Sequence, residues 1–225
     1  MPPEFAYLRD IDPSIVQEMR YATAFNFTGA PVPGYANAEC VLLRTAAEAL
    51  AKVQADLKSK GFGLKVYDCF RPIRAVNAFV RWSAAKDGAG NAAFYPKLAK
   101  EQLFGLGYIA RHSGHSKGAA VDLGLVQLGS EAAAGPNRSM TDCAGLPATR
   151  LSPSEVDMGT SFDCFDARSW TASTEVLSVQ YGNRMLLKAA MEGRGFRNYA
   201  REWWHYDFKG VSAGRAYDFS PARNR

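Results

Sequence analysis

Histidine is scarce in this 225-residue chain: His112, His115 and His205 are the only three. Any chemistry that needs imidazole must draw on them. No GxxxxGK phosphate loop occurs, and the GFG run at 61–63 lacks the further glycines of a dinucleotide loop, so nucleotide chemistry has no foothold. The absence of HExxH excludes the common metalloprotease helix. No run approaches the ~18 consecutive apolar residues of a membrane-crossing helix, so no membrane span is expected. The N-terminal MPPEFAYLRD lacks the basic-then-apolar pattern of a secretory signal, as does any exported chain whose signal has been removed. The four cysteines form no CxxC pair, which argues against a zinc ribbon or redox motif; in a chain this long they are expected as buried thiols. No dense basic run accompanies the net charge of +5, so a mildly basic surface is expected and no nucleic-acid partner. Internal repeats and heptads are also missing.

What is present is an ordinary globular composition, 47% apolar and 22% charged. The length allows a sizeable core, and no composition break divides it, so 1–225 is read as one domain with an exposed excursion at about 127–157, rich in Gly, Pro, Ser, Ala and Thr. Pro31, Pro33, Gly29 and Gly34 exclude a long helix near the start and suggest an extended loop crossing the surface, bracketed by Tyr21 and Tyr35. The spacing of Ala46, Ala47, Leu50, Val53 and Leu57 predicts a helix from Thr45 to Lys60, with Thr45 as N-cap and Gly61 as stop. Leu64 to Phe70 reads as a strand with no cleanly apolar face. Arg71 then sits at a strand-to-helix junction before Pro72, placed to reach into a cleft. Ala119 to Val126 has strand character, Glu175 to Glu192 fits a helix, and EWWHYDF reads as a strand.

The histidines gain meaning jointly. His115 and Asp122 lie in SGHSKGAAVD, and His205 in REWWHYDF. Two imidazoles and a carboxylate form a sensible catalytic zinc set that leaves a coordination position for water, with Glu202 working on that water. Alternation along EWWHYDF would put Glu202 and His205 on opposite faces, so irregular backbone is expected at Trp203 and Trp204.

These two motifs closely resemble those of the D-alanyl-D-alanine dipeptidases, the VanX-like zinc D,D-dipeptidase family, with further likeness in YLRDIDPSIVQEMRYAT, NFTG, VPGY, YDCFRP and MGTSFDCFD. The resemblance implies an α+β fold, a mainly antiparallel sheet flanked by helices of Hedgehog/D,D-peptidase-like type. It implies one Zn2+ per chain on His115, Asp122 and His205, zinc-bound water as nucleophile, and Glu202 as general base. Arg71 resembles the arginine that polarises the scissile carbonyl, Asp163 and Tyr21 the groups that hold the substrate ammonium, and Ser113 and Tyr35 further contacts to a small dipeptide. The implied reaction is hydrolysis of D-Ala-D-Ala to two D-alanines. The alternatives are a D,D-carboxypeptidase on peptidoglycan stems and a non-catalytic Hedgehog-like zinc module, against which Glu202 and Arg71 both argue. Gly114 departs from the family pattern, where a small polar residue is common, and is expected to matter little. The excursion is expected as surface decoration, with a lid or a Cys143–Cys164 pairing as alternatives. Such pairing would place folding in an oxidising space, so a periplasmic or exported protein is expected, a cytoplasmic one being the alternative.

Overall fold

The computed structural model describes residues 1–36, 38–129, 140–210 and 214–223. In chain order its strands are β1 (Phe5–Tyr7), β2 (Val16–Gln17), β3 (Val41–Leu43), β4 (Phe62–Asp68), β5 (Ala120–Gln127), β6 (Phe196–Asn198) and β7 (His205–Phe208). The α-helices are α1 (Leu8–Ile11), α2 (Arg44–Lys58), α3 (Ile73–Ala84), α4 (Gln102–Gly105), α5 (Pro147–Arg150) and α6 (Ser178–Glu192). β1 and β3 form an antiparallel ribbon. The other five strands form one sheet in the order β2-β4-β5-β7-β6, in which only β2–β4 is parallel. This is the expected α+β architecture with a mainly antiparallel sheet. No helix of the described residues is long and apolar enough to cross a membrane.

The 3.6-residue spacing in α2 buries Ala46, Ala47, Leu50, Val53 and Leu57, and the helix packs on β4 while α6 packs on β6 and against α2. Thr45 is not its N-cap: β3 runs directly into the helix at Arg44, and no side chain caps it. α6 begins at Ser178 instead of Glu175, where the Gln180 side chain accepts the Leu177 N–H at 2.8 Å.

β4 lacks alternation because both its faces are covered. On the face opposite Leu64 and Val66, Tyr67 stacks on Phe162 at 4.9 Å and donates to Glu155 at 2.8 Å, and Lys65 meets Glu155 at 3.0 Å. The loop after Tyr21 also turns inward instead of crossing the surface: Phe25, Phe27, Val32 and Tyr35 are all buried.

Residues 130–139 of the expected excursion lie outside the described residues. The remainder is not surface decoration, since Met140, Cys143, Arg150, Ser152 and Ser154 are buried. β7 pairs only with the first part of β5. Beyond it, Gln127 N–H donates to Ser154 O at 2.9 Å and Val156 N–H to Leu125 O at 3.0 Å, so this segment satisfies the backbone that β7 leaves open.

The four cysteines are not thiols. Cys40–Cys69 and Cys143–Cys164 are disulfides, with Cα atoms 5.2 and 5.3 Å apart. Cys143–Cys164 is the pairing held as an alternative for the excursion, whereas nothing in the spacing along the chain marks Cys40–Cys69, which the fold brings together. The C-terminal stretch returns over β1, where Phe219 stacks on Phe70 at 4.0 Å. There Tyr217 N–H donates to Ser116 O at 2.8 Å and Tyr217 O accepts from Ile73 N–H at 3.1 Å, tying the turn that carries His115 to the start of α3.

Candidate active site

Three chemically active side chains stand in one row across the sheet: Asp68 on β4 is opposite Asp122 on β5, which is opposite His205 on β7. Strict alternation would put Asp68 on the face of Leu64 and Val66. A register shift between Val66 and Asp68 brings it opposite Asp122 instead, which is how bulges re-aim side chains at active sites. Two carboxylates so placed would repel. Arg71 separates them, with Nη2 2.8 Å from Asp68 Oδ2 and 3.5 Å from Asp122 Oδ2. Its guanidinium lies over the rings of Tyr21 and Phe79, 5.2 and 5.3 Å from their centroids.

His115 enters from a short 3₁₀ turn, Gly114–Lys117. Ser113 Oγ accepts the His115 backbone N–H at 3.2 Å, and the turn ends at Gly118 with φ 71°, where a Cβ would stand 2.2 Å from the Phe5 ring. His115 Nδ1 lies 2.7 Å from Cys69 O. A carbonyl only accepts, so Nδ1 carries the proton and Nε2 presents its lone pair to the site. The chain before β7 turns at Glu202–Trp204, with His205 N–H donating to Glu202 O at 3.3 Å. Strand geometry therefore begins only at His205, which leaves Glu202 free to face the same space, its Oε2 3.9 Å from His205 Nδ1. The irregular backbone expected at Trp203 and Trp204 is there.

His115 Nε2, Asp122 Oδ1 and His205 Nδ1 form a triangle with edges of 2.9, 3.1 and 3.2 Å. These edges approach the ~3.3 Å separation that tetrahedral bonds of ~2.0–2.1 Å require, and the donor set suits a divalent metal. The three groups also contact one another directly. Burial pushes the His205 imidazole down, but hydrogen bonds to Asp122 and Asp207 overcome this and raise it to about 10. Burial raises the Asp122 carboxyl, and the two histidines more than reverse that, holding it below the usual range.

The cluster opens on a cavity of about 250 Å³. Tyr21, Arg71, Ser113, His115, Asp122, Asp163, Glu202 and His205 all line it. Tyr35 does not: it is buried behind the wall, its hydroxyl donating to Asp68 at 2.6 Å. At the cavity wall Asp163 has φ 61°, a conformation aspartate tolerates better than most residues. It accepts the Tyr21 hydroxyl at 2.7 Å, and among the described residues no cation is within ion-pair distance of it. Burial pushes its carboxyl well up, with the Asp122 charge adding and the Tyr21 hydrogen bond and Arg71 opposing. Glu202 is also raised by burial, against the pull of His205 and with the push of Asp122.

Sequence reasoning missed Asp68 and Asp207. Asp68 lies in the YDCFRP run, but its role depends on a register shift that no periodicity reveals. Asp207 was visible only as a same-face neighbour of His205. His112, the third histidine, is an exposed residue at the cavity rim.

Two imidazoles and a carboxylate around an open cavity, with a glutamate beside them, form a donor set that could hold a metal ion. The family model described as D-ala-D-ala dipeptidase, peptidase family M15, matches residues 1–137 and 147–220. The D-alanyl-D-alanine dipeptidase of Streptomyces coelicolor is 35% identical over 207 residues, 92% of each chain. That of Enterococcus faecium is 34% identical over 203 residues, 90% of each chain. That of Escherichia coli is 30% identical over 204 residues, 91% of this chain and 84% of its own. The chain belongs to the M15 D-Ala-D-Ala dipeptidase family and is a metallopeptidase.

Proposed function

We propose that the protein hydrolyses the free dipeptide D-Ala-D-Ala to two D-alanines with one zinc ion held by His115, Asp122 and His205. Bound there, zinc supplies a Lewis acid for the acyl oxygen and lowers the pKa of water from ~16 to about 7. Glu202, raised by burial, takes the proton from the attacking water and passes it to the leaving amine. Arg71, anchored by Asp68, offers its guanidinium to the oxygen on which charge develops. Tyr35 and Asp68 fix Arg71 from behind, and Ser113 shapes the turn that aims His115.

The observation that carries the substrate assignment is Asp163, a buried carboxylate on the cavity wall with a hydroxyl partner and, among the described residues, no fixed cation. It suits the ammonium of a free dipeptide, and an N-acylated chain would leave it unpaired. A dipeptidase is favoured over a stem-peptide carboxypeptidase for that reason. Two disulfides favour folding in a periplasmic or other exported setting. Metal analysis of the purified protein alongside turnover of D-Ala-D-Ala and L-Ala-L-Ala tests the reading. One zinc per chain with turnover of the D,D dipeptide is expected, and a protein with zinc bound that leaves D-Ala-D-Ala intact would overturn it.

A further inference from the structure

Asp207 lines the cavity beside His205 without touching the proposed reacting groups other than that imidazole. It stands two residues after His205 on β7, so the two side chains share a face of the strand. His205 turns Nδ1 toward Asp122 and His115, which leaves Nε2 pointing away from them. When Nδ1 gives its lone pair to a metal, Nε2 carries the proton and needs an acceptor. Asp207 Oδ1 is 3.5 Å from it. The other Asp207 oxygen faces Arg197 Nη2 at 3.7 Å across the β6–β7 ladder, where Arg197 and Asp207 are register partners.

The space for this carboxylate comes from Gly114. A Cβ on Gly114 would stand 2.7 Å from Asp207 Oδ1, a clash, and 3.3 Å from Ala120 Cβ. Gly114 is not in the left-handed region, so its backbone conformation is open to other residues. Glycine here leaves room for the neighbouring carboxylate, since a Cβ would have to displace the end of the Asp207 side chain.

We propose that Asp207 is a positioning residue for the metal ligand His205, fixing its tautomer and ring plane and strengthening Nδ1 as a donor, and that Gly114 is the vacancy that admits it. This rests on the metal-site reading above. The test is the zinc dissociation constant of the full-length protein, measured by competition with a chelator of known affinity. Asp207→Ala is expected to weaken zinc binding about 10- to 100-fold, the usual cost of losing such a partner, with Asp207→Asn, which keeps an acceptor oxygen without the charge, falling between. Gly114→Ala is expected to weaken it by displacing the carboxylate, and to add nothing further in an Asp207→Ala background. If the wild type binds one zinc and Asp207→Ala binds it within about twofold, or if the two substitutions add in full, Asp207 and Gly114 do not act this way. Absence of zinc binding by the folded wild type would instead remove the metal-site reading, and this proposal with it.

Discussion

The two halves of the cavity are built differently. The half proposed to bind metal rests on the sheet: Asp68, Asp122 and His205 are ladder neighbours on β4, β5 and β7, and His115 is pinned to them through the Cys69 carbonyl. The half proposed to hold the substrate rests on loops. Tyr21 sits in a 3₁₀ turn, and Asp163 lies in left-handed backbone beside the Cys143–Cys164 bridge. A reaction step requires reacting groups held within fractions of an ångström, which a ladder provides. Selectivity requires only a carboxylate and a hydroxyl in the right place, which loops tied at a few points supply.

The sharpest way to separate the halves is to damage each chemically. Glu202→Ala is expected to lower kcat by about 10²–10⁴-fold while zinc content and the KM for D-Ala-D-Ala stay close to wild type. Steady-state kinetics on metal-analysed protein checks this. Asp163→Ala, on the other side, is expected to lower kcat/KM for the free dipeptide by about 30-fold or more, the cost of removing one member of a buried charge pair. Its zinc affinity should not move, and its preference for free over N-acetylated dipeptide should shrink.

The disulfides offer a smaller version of the same contrast. Replacing Cys143 and Cys164 by serine is expected to cost about 2–5 kcal/mol of stability, read from denaturant unfolding. Where the variant folds it should raise KM and leave zinc affinity alone. Replacing Cys40 and Cys69 disturbs the sheet half, because the Cys69 carbonyl orients His115, so there zinc affinity is expected to fall.

A further effect is expected of pH on the metal-free protein. The His205 imidazole is raised to about 10 in the folded state, above its unfolded value of ~6.5. Its contribution is therefore full below about pH 6.5 and is lost as pH rises through 10. Urea midpoints of metal-free protein should decline over that window, and His205→Asn should flatten the decline.

The same division decides what could be read in the sequence. The helix spanning Ala46 to Leu57 and the strand holding Asp122 announce themselves through periodicity, and the His115, Asp122 and His205 cluster through the scarcity of histidine. The break before His205 is legible because Glu202 and His205 could not otherwise meet. Asp68 stayed hidden because a register shift reverses the face its position implies. Tyr21 and Asp163 converge from loops 142 residues apart, and only family likeness pointed to them. Tyr35, implied as a substrate contact by the same likeness, stands behind the wall. The two disulfides, and the packing of residues 140–157 against the end of β5, follow from tertiary contacts that no local pattern encodes.

The proposed function couples zinc chemistry on the sheet to recognition of a free ammonium by the loops. The most direct measurement compares kcat/KM of the zinc-loaded protein for D-Ala-D-Ala and for N-acetyl-D-Ala-D-Ala. Hydrolysis of the free dipeptide with at least about 100-fold lower kcat/KM for the acetylated one is expected, in keeping with rejection of a ligand that leaves a buried polar group unpaired. Comparable hydrolysis of both would contradict it.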